Sequence, residues 1–168
     1  MTDRLVDGFY RRLIQPLGNL VILSALAEAA LLDLTAALKG VDERQAQGVL
    51  NAKDAKRKVL ELVTSSSLRD LQLAQLLDGL DRFWWDKASC HRFIHDEWLP
   101  LLDVSGKPST RGLPEDSDLV WSAPPAEDIW ALAKSFRDHE NLFSRTAYSI
   151  RRARAERAVA NLVFDDPA

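Results

Sequence analysis

LGNLVILSALAEAALLDLTAAL, residues 17–38, holds two charged side chains, Glu28 and Asp33. Leu17 to Leu38 is otherwise apolar nearly all round. Its polar members Ser24, Glu28 and Thr35 fall on one narrow strip at helical spacing. A helix with so little polar surface belongs at the centre of a bundle, and Gly40 is placed to end it. Upstream, Thr2 is positioned to cap a first short helix in which Leu5, Phe9 and Leu13 recur every four residues. Pro16 then marks the restart of a helix, since its missing N–H would be unpaired in a first turn anyway.

Downstream the pattern stays helical. Asp42 to Leu50 predicts a short helix with Ala46, Val49 and Leu50 inward. Asn51 is placed to cap the next, where Ala55, Val59 and Leu62 form a stripe opposite Lys53, Lys56, Arg57 and Lys58. The turn Thr64-Ser65-Ser66-Ser67 leads into a long helix from Ser67 to His95, with Leu73, Leu76, Leu77, Leu80, Phe83 and Trp84 on its apolar face. Gly106, Pro108, Gly112 and Pro114 then mark an irregular excursion over about 99–122. Leu99 to Leu102 and Leu119 to Trp121 are suited to pair within it as a small hairpin. A last helix from Pro125 to about Asn161 carries the stripe Ile129, Leu132, Phe136, Phe143, Ala147 and Ile150. The expectation is an all-α fold, one helical bundle over residues 1–168, with the irregular insertion before the last helix.

Composition limits the function classes. The chain has 168 residues, 46% hydrophobic and 28% charged, which suits one globular domain and excludes a wholly disordered chain. With 22 Lys+Arg against 25 Asp+Glu the net charge is −3, so no global basicity argues for nucleic acid. Cys90 is the sole cysteine, so no internal disulfide forms, in keeping with a reducing compartment. Arg11-Arg12, the apolar Leu17 to Leu23 and Ser24 to Ala27 outline a signal peptide. Pro16, Asn19, Asp3 and Asp7 oppose that outline, and the helical pattern runs past the cut. The uncharged run Leu13 to Ala27 is 15 residues, short of the ~20 needed to span a bilayer. The expectation is a soluble cytoplasmic chain with no membrane partner.

The chemistry concentrates in Cys90-His91-Arg92-Phe93-Ile94-His95-Asp96-Glu97-Trp98, which holds two of the three histidines. His91 and His95 are four apart and share a helix face. Two ligands do not close a metal site, and Arg92 stands where a zincin has its Glu. No metal and no cofactor are expected. As an acid–base site, His95 would move a proton while Arg92 held an anion such as phosphate. As a structural feature, the histidines would be partly buried hydrogen-bonders near a helix end. Glu28, in an apolar helix, calls for a partner, with Arg92 and His95 as candidates.

The polar residue, three residues, His, then Asp and Trp resembles the motif of HEPN-type helical domains, which carry Arg, usually Asn, three residues and His near the end of a long helix. The resemblance covers about half the chain, from Leu68 through the final helix. It implies an all-α, commonly dimeric domain that acts on or binds RNA, many members being metal-independent ribonucleases of defence or toxin-type systems. It places His95 at the motif His, His91 at the Asn and Arg92 at the next position. Cys90 falls on the leading Arg, and a thiol cannot replace a guanidinium as a phosphate clamp. The implied activity is therefore weakened. The alternative is a non-enzymatic helical module for dimerisation or protein binding.

Three further features bear on partners. Arg151, Arg152 and Arg154 lie in a basic C-terminal helix and are candidate nucleic-acid contacts; a solvated helix end explains them equally well. Trp84 and Trp85 are adjacent, so one belongs to the core and its neighbour to a rim or subunit contact, which favours a homodimer. His139, three residues after Phe136 and four before Phe143, is expected as a satisfied core histidine.

Overall fold

A computed structural model describes residues 2–95 and 126–164, with side chains described for residues 14–91, 94 and 126–160. Those residues form five helices and no strand: α1 (Thr2–Lys39), α2 (Glu43–Leu50), α3 (Ala55–Thr64), α4 (Asp70–His95) and α5 (Ala126–Phe164). The fold is an all-α bundle, as the apolar periodicity predicts. The excursion at 99–122, its hairpin included, lies outside the described residues.

Contacts along the helices fix their directions. Glu28 pairs with Lys87, while Asp86 meets His139 and Gly79 abuts Leu142. α4 therefore runs antiparallel to both α1 and α5. α1 and α5 run in the same direction, with Asp33 bound to Arg151 and Leu38 to Arg154. The core between them contains Leu20, Leu31, Leu34, Val59, Val63, Leu76, Leu80, Phe83, Ile129, Phe136 and Phe143, each 2% exposed or less. Burying each such side chain contributes about 1.5–3 kcal/mol.

Several local expectations are corrected. α1 does not restart at Pro16 but passes through it. An interior proline removes one hydrogen bond and crowds the carbonyl four residues back, at about 3 kcal/mol. Burial of Leu20, Ala27, Leu31 and Leu34 further along the helix outweighs that cost. Nor is α1 wholly enclosed. Ile14, Val21, Ile22 and Leu26 are 48–61% exposed, while Thr35, expected on the polar strip, is buried and donates to the Leu31 carbonyl at 2.8 Å. Asn51 is the C-cap of α2, and Asp54 precedes α3. α4 begins at Asp70, three residues later than expected, because Ser65 and Ser66 turn their hydroxyls back to the carbonyls ending α3. α2 begins at Glu43, and Asp42, expected inside it, is its N-cap, accepting from the Gln45 N–H at 2.8 Å.

Two glycines sit where an added side chain would meet a neighbour. At Gly79 an added Cβ would lie 2.3 Å from Leu142 Cδ2, so its absence lets α4 and α5 approach. Gly40 ends α1 at φ +72°, in the left-handed region, and the N–H groups of Gly40 and Val41 both close on the Ala36 carbonyl. Gly40→Ala is expected to cost about 1–2 kcal/mol in urea unfolding. Gly48→Ala, in a helix with open space around the new methyl, is expected to gain up to about 1 kcal/mol. Equal effects at the two positions would contradict this account of the turn.

Candidate functional site

The motif residues occupy the last turns of α4. Cys90 faces inward: it is 6% exposed, and its thiol is hydrogen-bonded to Ser24 of α1 near Glu28 and Lys87. Burial pushes the thiol pKa up, with Glu28 adding in the same sense, so it is held as the protonated thiol. His91, about 100° further round the helix, is exposed. Arg92 and His95 belong to α4 by backbone, and their side chains lie outside the described residues. The position aligned with the motif's leading Arg is thus turned toward α1, and its neighbour His91 toward solvent.

Glu28 does not need rescue from burial. Its carboxylate is half-exposed and pairs with Lys87 Nζ at 3.0 Å; the side chains of the expected partners, Arg92 and His95, lie outside the described residues. Among the described residues no group of three His, Cys, Asp or Glu side chains is arranged to hold a metal ion.

The candidate nucleic-acid contacts separate. Arg151 reaches across to α1, with both guanidinium nitrogens on the Asp33 carboxylate, one at 2.8 Å, and that bond raises its pKa further. Arg152 bonds Glu156 one turn along at 2.8 Å. Arg154 donates to the Leu38 carbonyl at 2.9 Å and so satisfies an orphan carbonyl at the end of α1. Only Arg154 of the three lines a groove, of about 510 Å3, between α5, the end of α1 and the start of α4. There it joins Arg157, from the same basic helix, the turn residues Ser65 to Ser67, and Arg69, which the sequence reading did not single out. One signal was available: Arg69 stands directly before the first turn of α4. The basic face of α3 is internally compensated. Arg57 lies between Asp54 and Glu61, Lys58 is 2.9 Å from Asp54, and Lys56 is 2.7 Å from Asp81.

His139 is the core histidine expected from its place on the stripe. It is 4% exposed, stacked on Phe143 at 6.0 Å and edge-on to Phe83 at 5.7 Å. Its Nε2 lies 2.8 Å from Asp86 Oδ2 and 3.3 Å from Ser135 Oγ. Asp, His and Ser in contact invite comparison with a hydrolytic triad, but the wiring differs. A relay needs the acid and the hydroxyl on opposite ring nitrogens. Here both sit at Nε2, and the Ser135 hydroxyl donates directly to Asp86. The cluster ties α4 to α5 within an aromatic cage, and its wiring is not that of a relay. Trp84 packs edge-on to Phe83 at 5.4 Å, while Trp85 is 68% exposed. One tryptophan is at the core and the other at the rim, as their adjacency predicts.

Compared with protein-family models, curated proteins and solved structures, the chain matches none of them.

Proposed function

We propose that the chain is a HEPN-like helical module that self-associates, with ribonuclease chemistry at His95, His91 and Arg92 weak at most. The observation carrying this reading is the apolar face of α1. Ile14, Val21, Ile22 and Leu26 are exposed together with Gly18, Ala25 and Ala29, along four turns without a charged side chain between Ile14 and Ala27. A contiguous apolar stripe of this kind on a soluble bundle needs cover. A second copy is the simplest occupant, because a two-fold contact sets an uncharged stripe against itself. The HEPN resemblance independently implies a dimer.

Ile14–Lys39 is also long and apolar enough to cross a membrane by composition. Against that use, Leu20, Ala27, Ala30, Leu31, Leu34 and Ala37 of the same helix are in the core. A cytoplasmic location accords with this reading. The test is the solution mass of the wild type and of variants that place a charge on the stripe.

The RNA-cleaving form of the HEPN reading is favoured by one feature, the exposure of His91 one turn before His95. The buried thiol at position 90 weighs against it. Oxyanion and phosphate stabilisation needs a cation aimed at the developing charge, and Cys90 is neutral and turned inward.

A further inference from the structure

We infer that the groove between α4 and α5 binds the phosphodiester backbone of single-stranded nucleic acid. The groove has two contiguous parts, of about 510 and 430 Å3, that share Gln72 and Ser149. Along α5 its lining runs from Asp138 to Arg157, 20 residues and about 28 Å at helical rise. Four arginines line it: Arg69, Arg145, Arg154 and Arg157. Among the described residues no carboxylate lines the larger part. Asp138 lines the far part, and Asp70 follows Arg69 in the first turn of α4, so positive charge concentrates where Arg69, Arg154 and Arg157 converge.

Three observations favour a ligand over a solvated helix end. Arg69, Arg145 and Arg157 form no ion pair among the described residues; Arg44 and Arg137, outside the groove, form none either, so it is the convergence of unpaired arginines on one groove that marks it. Arg154 is held over the groove by its bond to the Leu38 carbonyl, which leaves other N–H donors of its guanidinium for a ligand. The remaining lining supplies neutral donors: Ser65 to Ser67, Gln72, Gln75 and Asn141. Arginine forks match phosphate oxygens in pairs, and a row of them one or two turns apart suits a chain with regularly repeated charge. Among the described residues no aromatic ring lines the groove, so stacking of bases is not provided for there, and binding would follow charge rather than sequence. The groove opens at the start of α4, about 38 Å along the helix from His95. It is separate from the motif, and it does not rest on self-association, since among the described residues Leu38 is its sole α1 residue.

The test is fluorescence anisotropy of the full chain with a labelled 12-nucleotide single-stranded RNA over a salt series. Arms with DNA of the same sequence, inorganic phosphate and polyglutamate of equal charge identify the ligand chemistry. Single-strand binding changes by about −0.7 in log affinity per log salt for each phosphate neutralised, so four arginines predict a slope near −3. Arg69→Ala with Arg157→Ala should weaken binding at least tenfold and bring the slope to about −1.4. Arg69→Lys with Arg157→Lys should keep the slope, and Arg152→Ala, outside the groove, should change little. An unaltered slope in the double alanine variant overturns the proposal, as does equal binding of polyglutamate. Saturation of the site by millimolar inorganic phosphate without oligonucleotide binding would make it a small-anion site and also overturns the proposal.

Discussion

Phe83→Ala is expected to remove about 3–5 kcal/mol of stability. Phe83 is fully buried and stands at the junction of α4 with α5. Its ring meets those of Trp84, Phe136, His139 and Phe143 edge-on at 5.4–6.1 Å. Truncation loses the transfer energy of the ring and leaves a cavity that rigid aromatic neighbours fill poorly. It also exposes the Asp86–His139 contact to a void. For a chain of this length the melting temperature should fall by roughly 10 °C. Leu71→Ala, at a position 72% exposed, should shift it by no more than a degree or two. A loss below about 1 kcal/mol at Phe83 would mean that the aromatic cluster is not the centre of the bundle.

Cys90→Arg is expected to raise metal-independent ribonuclease activity by about 10²- to 10³-fold if the residues at 91–95 retain HEPN-type chemistry. An arginine at 90 starts from a position facing α1. Its long stem would pass Ser24, and its guanidinium would compete with Lys87 for Glu28 or extend beyond it. Overpacking there is expected to cost about 1–3 kcal/mol, so folding is checked alongside activity. The assay is cleavage of a mixed RNA in excess EDTA by wild type, Cys90→Arg and Cys90→Arg with His95→Ala. Gain in the single variant and its loss in the double assign the chemistry to His95. If all three are folded and equally inactive, the catalytic reading fails and the assembly role stands alone.

The helical stripes were legible because burial imposes a 3.6-residue period on them. Leu76, Leu80 and Phe83, then Ile129, Phe136, Phe143 and Ala147, are all buried as that period requires. His139 was legible for the same reason. The ends were less so. Asn51 and Asp54 are both competent caps, and local sequence does not decide between the end of one helix and the start of the next. Pro16 reads as a restart from its own chemistry, whereas the contacts that carry α1 through it come from distant residues. The run from Leu17 to Leu38 shows that hydropathy does not report what covers a face, since Leu20 is buried and Val21 and Ile22 are exposed. At the candidate site, charge and spacing mark the arginines of α5 but not their partners. Asp33 lies 118 positions from Arg151, and the Leu38 carbonyl 116 from Arg154. The groove containing Arg69 exists only once α4 is laid antiparallel to α5.

The central claim is that α1 carries a self-association face, and sedimentation equilibrium at micromolar concentration tests it most directly. The wild type should give twice the 18.9 kDa of one chain. Ile22→Glu and Leu26→Glu, at positions 60% and 49% exposed, should leave helicity and melting of the single bundle intact and shift the mass to one chain. Leu71→Glu, at a leucine outside α1 that is 72% exposed, should remain at the wild-type mass. A monomeric wild type, or charged α1 variants that stay dimeric, would contradict the account.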